Sequence, residues 1–155
     1  GQYVDIDRPG TMLNAGAASG LGHGMGVALG AQLAAPDKLV IGTEGDGAYM
    51  FNVPISAHYV AAEQNLPILW VVFNNQHWQA VHRSTMGLTP DGYAAKANRQ
   101  PLTHFTVDQH YEKAVEVAGF RVSESKDLMP TLEKALAVVT GEKRQALVNV
   151  VCGPT

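Results

Sequence analysis

Hydrophobic positions fall into short unbroken runs separated by longer stretches of helical period. Leu39-Val40-Ile41, Ile68-Leu69-Trp70-Val71-Val72-Phe73, Phe120-Arg121-Val122 and Ala146-Leu147-Val148-Asn149-Val150-Val151 each read as a strand. The runs at 68–73 and 146–151 show no polar alternation, the pattern of strands covered on both faces. Met12-Leu13-Asn14 is a candidate fifth strand. Between the runs, helices are predicted from about Leu21 to Ala34 and from about Leu128 to Thr140. Another begins near Asn52, a candidate N-cap with Pro54 in the first turn, and runs to about Gln64. A further helix is predicted from Asp108 to Gly119, with the glycine closing its C-terminus. Strands alternating with helices predict an α/β fold of three layers, α/β/α, around a mostly parallel sheet. The stretch from about Met86 to Thr106 is the least regular and reads as a functional or partner-contacting loop.

Composition narrows the classes. The 155 residues make a single domain, 1–155, large enough to bury roughly two thirds of the surface its unfolded chain exposes. Hydrophobic residues are 46% and charged residues only 16%. The charged share falls below the usual quarter or so, which points to a surface partly covered by something else. A net charge of −3 without a basic run disfavours nucleic acid as a partner. No apolar stretch reaches about eighteen residues, so no membrane span is expected, and no secretory signal is visible. The single Cys152 excludes an internal disulfide and a multi-cysteine metal site, and a reducing, cytoplasmic setting is expected. Gly1 to Gly10 is polar with little pattern, and reads as the cut edge of a longer chain more than as a tail.

Glycine is unevenly placed: of sixteen, ten lie between Gly10 and Gly47. No strict G-x-G-x-x-G, phosphate loop or G-x-S-x-G elbow occurs. Gly22, Gly26 and Gly30 stand four residues apart and would share one helix face. Such a face suits close helix packing or, alternatively, a ligand or subunit interface.

The chemistry begins where the run at 39–41 enters Gly42-Thr43-Glu44-Gly45-Asp46-Gly47. Ligands of α/β sheets sit at the carboxyl ends of strands. Gly45 and Gly47 would let backbone approach an anion, with the amides of Gly47 and Ala48 as donors near a helix N-terminus. Asp46 has the wrong sign for a phosphate and calls for a cation between them. Twenty-six residues beyond Gly47, at the end of the next apolar run, stands Asn74-Asn75. A carboxylate, an amide oxygen and a backbone carbonyl are hard ligands that suit Mg²⁺ bound with phosphate oxygens.

GDG-x26-NN, preceded by Ala18-Ser19-Gly20-Leu21-Gly22-His23-Gly24, resembles the diphosphate-binding domain of thiamine-diphosphate-dependent enzymes. The branch is that of acetolactate synthase, pyruvate decarboxylase, benzoylformate decarboxylase and oxalyl-CoA decarboxylase. The resemblance implies Mg²⁺ held by the side chains of Asp46 and Asn75 and the carbonyl of His77. It implies diphosphate contacts at Gly45, Gly47 and Ala48, the last standing where many relatives have serine. Leu21, beside Gly20, falls where the family places the apolar wedge that bends the cofactor into a V. The carbonyl of Ser19 would accept from the cofactor's 4′-amino group. The glutamate that activates the pyrimidine is expected on a separate pyrimidine-binding domain, on the same or another chain, within a dimer or tetramer; Glu44 is not assigned that role. The implied enzyme is a lyase or transferase, inactive as this isolated chain: half of a 2-oxo acid decarboxylase or carboligase. The alternatives are a 2-hydroxyacyl-CoA lyase, an oxalyl-CoA decarboxylase-like enzyme or a non-catalytic cofactor-binding subunit. Its substrate would be a small 2-oxo acid or an acyl-CoA. His77 and His82 are weak candidates for proton transfer. His23, His58, His104 and His110 show no metal spacing and are expected to be structural or exposed, and Trp70 to be core.

Overall fold

The computed structural model describes residues 6–14, 20–97 and 103–153. The elements are α1 (Gly24–Ala34), β1 (Val40–Gly45), α2 (Asp46–Phe51), α3 (Pro54–Glu63), β2 (Ile68–Asn74), α4 (Gln79–Leu88), α5 (Tyr93–Lys96), β3 (Ala118–Val122), α6 (Leu128–Ala137) and β4 (Ala146–Val151). The four strands form one sheet in the order β1-β2-β4-β3, and every pair is parallel. The chain steps one way from β1 to β2 through α3 and the opposite way from β3 to β4 through α6. Right-handed crossovers in opposite directions put their helices on opposite faces. One core accordingly joins Met25 and Ala28 of α1, Ala57 and Ala61 of α3, and Ile68, Trp70 and Val72 of β2. The other joins Leu69 and Val71 of β2 to Ala135 of α6 and Ala146 and Val148 of β4. Consecutive β2 side chains serve alternate cores, which is why that run carries no polar positions. The three-layer α/β/α expectation is met.

The layers are unequal. α6 packs on β3 and β4, so its face of the sheet is uncovered near β1, where Ile41 is 52% and Phe73 49% exposed.

Several local expectations need correction. Met12-Leu13-Asn14 forms no strand; Met12 and Leu13 are largely exposed and pair with nothing. The helix expected over 108–119 is a single 3₁₀ turn at Tyr111–Lys113, and Gly119 lies inside β3. His110 pairs with Asp108 and Glu112 inside this segment, and the two carboxylates also reach the sheet. Arg121 Nη2 donates to both Asp108 carboxylate oxygens at 2.7 and 2.9 Å, and Asn149 Nδ2 donates to Glu112 Oε2 at 2.7 Å. Glu116 is left-handed, with φ 58°, which ends any helix there. Asn52 is not the N-cap of α3: that place is taken by Val53, and Asn52 closes α2. Finally, α4 and α5 occupy part of the stretch expected to be irregular. None of their residues is fully buried; α4 turns Gln79, His82, Thr85 and Met86 half-buried on one face.

A buried polar cluster ties the first core together. His58 Nδ1 lies 2.9 Å from Gln145 Oε1, and His58 Nε2 lies 2.7 Å from the Tyr49 hydroxyl. Since the amide oxygen only accepts, Nδ1 carries the proton and the tyrosine donates to Nε2. Trp70 Nε1 donates to the same Gln145 oxygen at 3.1 Å, and Gln145 Nε2 donates to the carbonyls of His58 and Glu116. Burial lowers the His58 pKa, outweighing the Gln145 contact. The unfolded chain therefore binds this proton first. The stability linked to His58 is complete above the ordinary histidine pKa, and is lost as pH falls below it, by at most about 1.4 kcal/mol per pH unit. Gln145→Ala orphans Trp70, His58 and two carbonyls together and is expected to cost about 3 kcal/mol. Urea midpoints of wild type and variant at pH 7.5 and 5.5 check both statements.

Candidate functional site

The register sets the site. Gly45, the last residue of β1, pairs with Phe73 of β2. The two strands therefore end side by side, and Asp46 emerges next to Asn74-Asn75. Asp46 is buried, with 3% exposure. One oxygen, Oδ1, accepts from the amide of Gly47 at 2.8 Å, whereas Oδ2 is buried without any hydrogen-bond partner. Burial pushes this carboxyl upward; the amides of Gly47, His77, Gln76 and Asn75 pull it part of the way back. The Asn74–His77 loop closes on itself: Asn74 Oδ1 accepts from the Gln76 amide at 3.2 Å and Asn75 Oδ1 from the His77 amide at 3.0 Å. The β4 end is tied in as Cys152 N donates to Asn74 O at 2.8 Å. The backbone oxygen of Gln109 accepts from Asn74, Asn149 and Arg121, fixing the segment after the second loop across the same edge.

Among the described residues, most of the buried polar atoms without partners gather here. Besides Asp46 Oδ2 they are His77 Nε2, Trp78 Nε1, Gln109 Oε1, the Tyr111 hydroxyl and Asn149 Oδ1; Gln32 Oε1 lies elsewhere, on α1. Folded proteins leave few such atoms unpaired, so their concentration at one sheet edge marks it as a ligand site. A buried carboxylate with a free oxygen beside an asparagine oxygen fits a hard divalent cation. Three histidines also meet here. His77 Nδ1 lies 3.2 Å from His104 Nδ1, and the His77 and His82 rings are 5.3 Å apart. Burial lowers the His77 pKa, with His104 and His82 adding to it and Asp46 opposing. His104, read from the sequence as structural or exposed, is exposed and also belongs to this cluster. Its distance in sequence from His77 hid that, because an isolated bridge between the two residues brings them together.

A cleft of about 810 Å³ runs beside this edge, between α1 and the outer edge of β1. Gly20, Leu21, Gly45 and Ala48 line it; Asp46, Gly47, Asn75 and His77 lie outside its lining. Leu21 projects into it with 59% exposure. Ser19 lies outside the described residues. The segment carrying Leu21 is fastened by Asn52, a role the sequence did not disclose. Asn52 Oδ1 accepts from the amide of Met25 at 2.9 Å, and its Nδ2 donates to Glu44 Oε2 at 2.5 Å and Ala48 O at 2.8 Å. Burial pushes the Glu44 carboxyl up to about 7, against the pull of His23.

The expected stripe of glycines divides. Gly22 precedes α1, at φ +85°, and a Cβ there would meet the Phe51 backbone at 2.6 Å. Gly26 and Gly30 lie within α1 with open space around them. Gly22→Ala is therefore expected to destabilise by about 2 kcal/mol or more, and Gly26→Ala to stabilise by about 0.5–1 kcal/mol. Thermal melts of the two variants check the opposite signs.

Residues 1–150 match the family described as thiamine pyrophosphate enzyme, C-terminal TPP binding domain. With the parallel sheet and the paired loops at its carboxyl edge, this places the chain in that family. The acetolactate synthase large subunit of Mycobacterium tuberculosis is 31% identical over 155 residues, covering 100% of this chain and 26% of its own length. A 2-hydroxyacyl-CoA lyase of Arabidopsis thaliana is 30% identical over 149 residues, 94% of this chain and 24% of the lyase. Among solved structures, a thiamine diphosphate-dependent 4-hydroxybenzoylformate decarboxylase of Rhodococcus jostii RHA1 superposes with a TM-score of 0.69 at 26% identity. That match covers 87% of this chain and 24% of the decarboxylase. The chain thus spans about a quarter of the length of these relatives.

Proposed function

We propose that this domain holds the diphosphate end of thiamine diphosphate through Mg²⁺, as half of the active site of a 2-oxo acid decarboxylase or carboligase resembling acetolactate synthase. The observation that carries the reading is the buried, unpartnered Asp46 Oδ2 beside the Asn74–His77 loop. In this reading the Asp46 carboxylate, the Asn75 amide oxygen and the His77 carbonyl hold the cation. Gly45, Gly47 and Ala48 hold the diphosphate. Leu21 and Gly20, with the Ser19 carbonyl, shape the other end of the cofactor. Once bound, the cofactor supplies the carbon nucleophile and electron sink for breaking or making a bond next to a carbonyl. The chain's own task is to fix that geometry and to exclude water around the metal. His77 and His82 are the side chains here able to move a proton to or from a substrate.

The rest of the site would come from a pyrimidine-binding domain, on this or another polypeptide, within a homodimer or tetramer. Two features support a missing partner: the exposed Leu21, Ile41 and Phe73, and a charged fraction of only 16%. A cytoplasmic setting accompanies the reading, supported by the single, free Cys152; among the described residues no helix is long and apolar enough to cross a membrane. The 30% identity to a 2-hydroxyacyl-CoA lyase favours acyl-CoA cleavage as the second reading. Product analysis of the assembled enzyme with pyruvate and with a 2-hydroxyacyl-CoA separates the two.

Calorimetry with Mg²⁺ and thiamine diphosphate tests the site. Asp46→Ala and Asn75→Ala are each expected to abolish binding while the fold persists; undiminished affinity in Asp46→Ala contradicts the reading. The isolated 155-residue chain is expected to show negligible cofactor-dependent turnover, and decarboxylation by it alone would contradict the need for a second domain.

A further inference from the structure

Among the buried side-chain groups left unpartnered beside the GDG loop, the indole nitrogen of Trp78 can only donate, and it has no acceptor. The ring cannot easily turn to find one. Its backbone amide is tied to Thr103 O at 2.8 Å. The indole packs against Phe51, with ring centres 5.5 Å apart, and edge-on against Phe105 at 5.6 Å. Its N–H edge lies along Gly47: a Cβ on that glycine would stand 2.8 Å from Trp78 Cδ1 and 3.1 Å from Nε1. Position 47 therefore needs glycine for the indole as well as for an anion. The chain's other tryptophan, Trp70, has its Nε1 paired with Gln145, so an unpaired indole is no general habit of this fold.

Two unmet requirements of opposite kind thus flank Gly47. Asp46 Oδ2 lacks a positive partner and Trp78 Nε1–H lacks a negative one, and they do not bond to each other. A cation with an attached phosphate oxygen satisfies both, the metal meeting the carboxylate and the oxygen meeting the indole. Resting on the diphosphate reading above, we infer that Trp78 is a further binding residue of this site, its Nε1–H donating a hydrogen bond to a metal-bound diphosphate oxygen. A tryptophan suits the task because its nitrogen only donates and stays neutral.

The chain has two tryptophans, so a ¹⁵N spectrum shows two indole signals. Titration with Mg²⁺ and inorganic diphosphate is expected to move the Trp78 indole proton downfield and leave Trp70 in place. Trp78→Phe keeps a ring between Phe51 and Phe105 and is expected to weaken Mg²⁺–diphosphate binding roughly ten-fold. Saturation of wild type with the Trp78 signal unmoved overturns the inference by itself, even if the variant does not fold. Equal affinity in a folded Trp78→Phe does the same. Failure of wild type to bind Mg²⁺–diphosphate, or unchanged affinity in Asp46→Ala, overturns the underlying reading and this inference with it.

Discussion

The burial of the Asp46 carboxylate, with one oxygen satisfied and the other bare, is the constraint around which this domain is arranged. A charge in a dry sheet edge is costly unless it is paired. The fold does not pair it internally. Glycines on both sides admit backbone or ligand, the β1–β2 register delivers an asparagine loop next to it, and amides converge on it without completing it. The opposing pulls on its pKa express the same fact. The fold stabilises an incomplete electrostatic arrangement, which in the proposed reading a cation completes.

The other features of the site follow from keeping that arrangement rigid. The β1–β2 pairing fixes the spacing of the two loops, and the Tyr49–His58–Gln145–Trp70 cluster anchors α2 and α3 beneath them. Asn52 links the Glu44 end of β1, α2 and the N-terminus of α1. Any ligand that touches both the Leu21 segment and the GDG loop meets two surfaces held at a set distance. Apolar residues stay exposed on the α6 side of β1 and at Leu21.

Much of this was legible in the sequence. The buried strands at 68–73 and 146–151 announce themselves because both of their faces are covered, and two loops 26 residues apart mark the ends of adjacent strands. The features that were not legible depend on distant partners. Segment 108–119 has helical composition, but Asp108 and Glu112 find Arg121 and Asn149 on the sheet. Helix α4 is amphipathic but buries none of its residues fully, so it adds nothing to either core. Asn52 precedes a proline and reads as a cap, yet its amide is spent on Glu44 and Met25. Gly22, Gly26 and Gly30 share a spacing but not a helix, and only the first is sterically required. His104 and Trp78 gain their meaning from neighbours that sequence distance conceals.

The most direct test of the central claim is to locate a paramagnetic substitute for the cation. With Mn²⁺ and thiamine diphosphate added to the ¹⁵N-labelled chain, relaxation broadening is predicted to centre on the amides of residues 46–48 and 74–78, leaving helix α6 (Leu128–Ala137) less affected. Broadening centred on exposed carboxylates away from this edge, such as Glu133 or Glu142, or spread evenly over the surface, would contradict a metal held between Asp46 and the asparagine loop.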